Sequence, residues 1–274
     1  MGHRPTLHPL FKGARHEISE FTFANIYLFR ETHNYRISML SDGLLVITGN
    51  DNGSPFFMLP FGLPDKDTLG SLFKDHISMK AVSEGQALIL KEAGYEVTGD
   101  TDNFDYLYNR DELARLSGRK FHRKKNLVNA FIGNYRYEAE PLLEEYMGDA
   151  VFINEEWRKE HGEAGDFKAA KDALLNCYEL QLCGYIYYVE GSPAAFTLGE
   201  ELKPDTFVVH FEKGRGAFKG LLQFVNQSFS SLLPEKYTTV NMEQDLGDEG
   251  LRQSKLSYRP SGFVKKYRAS VKGE

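Results

Sequence analysis

Cysteine is nearly missing from this chain of 274 residues, which has Cys177 and Cys183 and no others. Two thiols cannot staple a secreted scaffold, and their spacing is not that of zinc ligands, so a reduced, cytoplasmic setting is expected. Long apolar runs are missing too. No stretch approaches the roughly 18 residues that a membrane helix needs, and the opening MGHRPTLHPLF lacks the apolar segment of a secretory signal. A transmembrane segment is therefore not expected. The chain has no Walker loop, G-x-S-x-G elbow, H-E-x-x-H or paired C-x-x-C. With these go the simplest arguments for a nucleotide hydrolase, a serine hydrolase or a metalloenzyme. Excess positive charge is also lacking. At a formal net charge of −6 the molecule as a whole does not attract nucleic acid or anionic lipid, so such a partner needs a local basic patch.

Aromatic residues, by contrast, are plentiful. With 20 Phe, 15 Tyr and 41% hydrophobic residues, the composition is that of an ordered globular protein, long enough for one large domain or two of ordinary size. Apolar residues at helical spacing (Ile18, Phe21, Ala24, Leu28) predict a helix over residues 18–30. Strands follow at 35–49 and 55–62, separated by the turn-forming NDNGSP. A helix within 78–97 closes at Gly94, and a further strand leads to TGDTDNFDYLYN. The second half repeats the order. Helices at 145–160 and 166–180 precede a hairpin at 182–202 turned at Gly191-Ser192. A strand at 206–214, the glycine-bearing loop GRGAFKG, a helix at 221–233 and a strand at 237–244 complete it. The expectation is an α+β protein of two similar halves, residues 1–110 and 146–274, joined by a basic segment over 111–145.

Hairpin, strand, glycine loop, helix, strand is also the core order of the Gcn5-related N-acetyltransferase fold, which suggests a tandem duplicated acyl-CoA N-acyltransferase-like architecture. In that fold, loop amides and a helix N-terminus hold a cofactor's pyrophosphate, making Lys213, Gly214 and Gly216 candidate binding residues. Gly220 falls one residue late for a G-x-G-x-x-G match, and Phe211 stands where that loop usually carries Gln or Arg. The two-residue strand period places Thr239, Asn241, Glu243 and Asp245 on one face, and Val208, His210 and Glu212 on another. If the two strands flank one cleft, His210, Glu212, Glu243 and Asp245 converge, and such neighbours push one another's pKa values apart. A satisfied rim histidine is the plainer reading of His210.

Beyond them, residues 248–259 read as a short helix with Arg252 and Lys255 on one side. The two cations either join surface pairs such as Asp248–Arg252, or face the cleft to hold a phosphate or an oxyanion. In SGRKFHRKKN, the residues Arg119, Lys120, His122, Arg123, Lys124 and Lys125 crowd around Phe121. A basic run with an interleaved aromatic suits a phosphate-bearing partner such as a tRNA end, a nucleotide or a lipid headgroup. A solvated interdomain linker is the alternative.

The stretches DYLYNRDELARLSGRKFHRKKNLVNAF, VVHFEKG and VNMEQDLGDEGLRQSKLSYRP together resemble the DUF2156 family, relatives of the C-terminal catalytic domain of phosphatidylglycerol lysyltransferases. The resemblance runs over nearly the whole chain. It implies a tandem acetyltransferase-like fold and, as in the membrane-bound relatives, transfer of an aminoacyl group from tRNA to a lipid hydroxyl. It further implies Asp245, Arg252 and Lys255 as site residues, a binding role for the 119–125 run with Asn126, and Tyr258 within the last motif. Two departures stand out. The transmembrane half of those relatives is absent, which argues against a lipid acceptor, and Met242 stands where a basic residue is expected. The combined expectation is an acyl or aminoacyl transferase drawing on aminoacyl-tRNA or acyl-CoA, with an amine or hydroxyl acceptor. A non-catalytic ligand- or nucleotide-binding protein that keeps the same cleft is the alternative.

Overall fold

Asp42-Gly43 and Asn52-Gly53 are the strongest turn signals in the first hundred residues, and both turn the chain back on itself. Asn52 (φ 51°) and Gly53 (φ 89°) are both left-handed, the backbone of a tight two-residue hairpin. The computed structural model describes residues 1–14, 16–162 and 166–272. They divide into two units. One comprises Met1–Asp105, Gln244–Asp248 and the chain from Phe263 on, and the other Tyr106–Glu243 and Glu249–Gly262.

The first unit opens with helices α1 (Arg4–Ala14) and α2 (Phe23–Leu28), the second shorter than the predicted 18–30 helix. Strands β1 (Arg36–Met39), β2 (Leu45–Asp51) and β3 (Ser54–Met58) form an antiparallel meander. The predicted strand at 35–49 is thus two strands, because the Gly43 turn (φ 84°) splits it. Helix α3 (Lys66–Asp75), not anticipated, is the crossover that lets β4 (Ser78–Val82) run parallel to β3. The predicted helix within 78–97 is therefore half strand. Ser83 separates β4 from α4 (Glu84–Glu92) by forming a reciprocal capping box with Gln86. Strand β5 (Glu96–Gly99) follows.

The second unit takes over within β6 (Asp105–Asn109) and continues through α5 (Arg110–Arg115), α6 (His122–Asn134) and β7 (Tyr137–Pro141). Next come α7 (Met147–His161), α8 (Phe167–Leu175), α9 (Cys177–Leu180), β8 (Cys183–Val189), β9 (Ser192–Lys203), β10 (Thr206–Gly214), α10 (Leu221–Leu232), β11 (Thr239–Asn241) and α11 (Glu249–Ser257). Its strands lie in the order β6-β11-β10-β9-β8-β7. The pairing of β10 with β11 is parallel, bridged by α10. The chain then passes through β12 (Gly262–Val264) back to the first unit. There β13 (Tyr267–Ser270) pairs antiparallel with both β4 and β5, giving the order β1-β2-β3-β4-β13-β5. Two mixed sheets flanked by helices make the chain α+β, the expected class.

The division differs from the expected 1–110, 111–145 and 146–274. The basic segment belongs to the second unit, because Phe121, Val128 and Phe131 bury themselves in a core shared with Tyr187, Phe224 and Val225. Residues from 263 on return to the first unit because the apolar Ala269 completes its core.

Close packing between β8, β9 and β10 depends on two glycines. A Cβ at Gly199 would sit 2.0 Å from the Val208 carbonyl oxygen, and one at Gly184 would sit 1.9 Å from that of Thr197. Gly199→Ala is expected to destabilise the second unit by about 3 kcal/mol or more, the upper range for overpacking, as read by urea unfolding. A loss below about 1 kcal/mol would mean that the strands separate easily there.

Candidate functional site

Strand β10 slips register against β9 at His210. Val209 pairs with Gly199 and Phe211 with the adjacent Leu198, leaving His210 as an extra, bulged residue. Its ring, with 1% of the side chain exposed, lies between two carboxylates: Nδ1 is 2.8 Å from Glu243 Oε1 and Nε2 is 3.0 Å from Glu200 Oε1. Burial works against a charged ring, but Glu243 and Glu200 outweigh it and hold the imidazolium up to about 10. With both nitrogens engaged, the ring is a charged cross-brace. Nitrogen-15 spectra at pH 8 are expected to show His210 doubly protonated. A neutral ring there would contradict the double ion pair.

The predicted convergence of His210 with Glu243 is present, by a different route. Strand β11 ends at Asn241, three residues before the predicted 244, so alternation does not extend to Glu243. Instead Glu243 turns left-handed (φ 53°), and its N–H donates to Asn241 Oδ1 at 2.8 Å. Asp245 lies in the first unit, buried, where its Oδ1 accepts the Gly247 N–H at 2.9 Å.

Two residues further along β10, Glu212 meets a different environment. Burial pushes its carboxyl up to about 7, against the Asn226 amide and the Lys255 and Lys124 charges, which pull it down. The Asn226 amide nitrogen also donates to Met242 Sδ at 3.5 Å. Lys255 donates to the Met242 carbonyl, and the Tyr108 hydroxyl donates to the Lys255 carbonyl at 2.8 Å. The Lys124 ammonium lies 4.0 Å from the centre of the Tyr258 ring, and burial lowers its pKa while Glu212 opposes the shift. Glu212 in turn helps to push the hydroxyls of Tyr108, Tyr187 and Tyr258 upward. Lys124, Glu212, Lys255 and Tyr258, four residues singled out from the sequence, thus share one locality. Arg252 is half-buried on α11, with Glu249 at 3.9 Å.

The rest of the basic run does not share that locality. Arg119, His122, Arg123, Lys125 and Asn126 are exposed, and Lys120 pairs with Glu112 at 2.6 Å. The first turn of α6 is basic and has no side-chain cap, although the positive end of a helix dipole ordinarily favours acids. In the glycine loop, Lys213 is buried, 3.4 Å from the centre of the Trp157 ring and paired with Asp166. Gly214 packs where a Cβ would crowd Leu222 at 2.9 Å. The Gly216 N–H donates to the Glu160 carboxylate at 3.0 and 3.3 Å.

Sequence reasoning missed Glu200, Tyr108 and Asn226. Only Asn226 left a readable trace, since it falls on the buried stripe of α10 with Leu221, Val225 and Phe229, where a polar residue calls for a partner. Among the described residues no three His, Cys, Asp or Glu side chains are grouped to hold a metal ion. Among them, too, no helix is long and apolar enough to cross a membrane.

Two mixed sheets flanked by helices carry these groups, with His210, Glu212 and their partners in the second unit. The chain belongs to the phosphatidylglycerol lysyltransferase C-terminal family, whose model matches residues 11–270. It is similar to a conserved protein of unknown function from Bacteroides thetaiotaomicron, at 31% identity and a TM-score of 0.88 over 99% of this chain and 97% of that one. The L-PGS structure from Bacillus licheniformis shares its fold at 16% identity and a TM-score of 0.63, over 91% of each chain. So does FemX, at 10% identity and 0.62, over 97% of this chain and 95% of that one. An uncharacterized protein of Mycoplasmoides gallisepticum is 22% identical over 177 residues, 61% of this chain. The match covers 56% of that protein, so the chain spans little more than half the length of this curated relative.

Proposed function

We propose that the protein transfers an aminoacyl group from a tRNA to a nucleophilic acceptor, with the chemistry on the second unit. The observation that carries this reading is Glu212, a carboxyl held at about 7 beside Lys124 and Lys255. A group titrating there can take a proton from an attacking nucleophile and return it to a leaving oxygen. Lys255, Lys124 and Arg252 supply positive charge for the negative oxygen that forms as the carbonyl is attacked. The His210 brace with Glu200 and Glu243 positions β10, while exposed Arg119, His122, Arg123 and Lys125 meet the donor's phosphates. Family membership supports the reaction class. Acyl-CoA is the weaker donor candidate, because Glu160 already occupies the Gly216 amide where a pyrophosphate would be held. A tRNA donor would place the protein in the cytoplasm.

Turnover on a panel of aminoacyl-tRNAs and acyl-CoAs tests the reading; transfer from acyl-CoA alone, or from neither donor, would overturn it. Binding to tRNA should also weaken with salt, with a logarithmic slope of about −0.7 per single-strand phosphate contact. Replacing Arg119, Arg123 and Lys125 together by Ala is expected to flatten that slope by about 2. An unchanged slope would remove the basic run from the donor site.

A further inference from the structure

The oxygen end of the Asn226 amide has a need that the protein does not meet. Its nitrogen is committed to Glu212 and to Met242 Sδ. Its Oδ1, in a side chain 3% exposed, is buried without a hydrogen-bond partner. The Tyr187 hydroxyl on β8 is also buried, feels the Glu212 charge and lies beside Ser228. Buried acceptors are ordinarily satisfied, and one left open calls for a donor from outside the protein. One amide group thus carries both the hydrogen bond to Glu212 and the open acceptor.

We propose that the acceptor is a primary amine carried by an anionic molecule; the inference rests on the transferase reading above. A nucleophile must donate one hydrogen bond to Glu212. A hydroxyl then has nothing left to give, because it owns a single hydrogen, whereas an amine has a second N–H for Asn226 Oδ1. Lys124 and Lys255 add positive charge to the same locality, which repels a bare ammonium and favours an amine bearing a phosphate or carboxylate. The amine lone pair attacks the ester carbonyl carbon, and the carbonyl π pair moves to oxygen. The nitrogen passes a proton to Glu212. The C–O ester bond then breaks, and the leaving oxygen takes that proton. An amide and a free alcohol result.

The test uses two probes that differ at one group, O-phosphoethanolamine and 2-hydroxyethyl phosphate, titrated into the full-length protein labelled with nitrogen-15. The amine probe is expected to shift the Asn226 side-chain amide signals saturably, and at least 10-fold more tightly than the hydroxyl probe. Equal binding of the two probes, binding of the hydroxyl probe alone, or no shift with either would overturn the amine assignment, the last pointing to a bound water as the donor. Because this readout needs no turnover, amine binding without transfer would sink the transferase reading and leave the ligand class standing. When transfer occurs, an alkali-stable amide product supports the proposal, and an alkali-labile ester overturns it.

Discussion

Replacing Lys266 by Met is expected to destabilise the first unit by roughly 3–5 kcal/mol, the usual loss when one partner of a buried ion pair is removed. Lys266 is 1% exposed, and its ammonium bridges Asp105 Oδ1 at 2.6 Å and the Glu20 carboxylate. Asp105 also accepts the Ser19 N–H at 3.0 Å and the Ser19 hydroxyl at 2.9 Å. Three distant stretches of chain are thereby tied at one cation, next to the strand that enters the sheet between β4 and β5. Burial alone would neutralise the lysine, but Asp105 and Glu20 outweigh it and hold the ammonium above its usual range. Burial keeps Glu20 above the ordinary carboxylate value of 4.5, with Lys266 opposing. A raised carboxyl contributes stability that is present below the unfolded value and lost as pH rises through the folded one. The deficit of Lys266→Met should therefore be largest near neutrality and shrink as the stranded Glu20 carboxyl protonates in acid. Urea unfolding at pH 7 and pH 4.5 measures both effects. A loss below about 1 kcal/mol, or one that grows in acid, would show that the triad is solvated.

Patterns of period and punctuation made much of the second unit legible: the 182–202 hairpin, β10, the glycine loop and α10 all stand close to where spacing put them. Reading failed where a strong local signal masked a second element. Ser83 starts a helix, which drew the preceding β4 into the helical reading, and Gly43 breaks a run that alternates as one strand. Strand β13 was missed because its partners β4 and β5 are far away in sequence, and no local pattern reports pairing at that range. At the site, alternation along β10 brought His210 and Glu212 to notice, but the bulge at His210 could not be read, and it gives the two residues different surroundings. Lys124 illustrates the reverse case. Composition flagged the whole basic run, but only helical phase decides that this one lysine turns to Tyr258 while its neighbours stay in solvent.

Glu212→Gln is expected to lower turnover by about 10²–10⁴-fold, the range for losing a positioned general base, while raising stability at pH 8. The two effects share one cause. The wild-type carboxyl moves from an ordinary 4.5 to about 7 because burial disfavours its charge. The folded state therefore binds the proton more tightly than the unfolded state between these values. Stability from this group is present in full below about 4.5 and lost as pH rises through 7. Glutamine never ionises, so the variant escapes that loss and should melt above the wild type at pH 8, with the gap closing toward pH 5. Wild-type turnover should rise with pH through a step near 7, since the ionised form is the base, and the residual rate of the variant should lack that step. Thermal melts and pH–rate profiles on the same preparations separate the possible outcomes. A variant that loses both activity and stability at pH 8 would make Glu212 a structural partner of Lys124 and Lys255, and proton transfer would then have to be sought elsewhere in the second unit. Full activity with raised stability would leave a strained carboxyl that takes no part in the reaction.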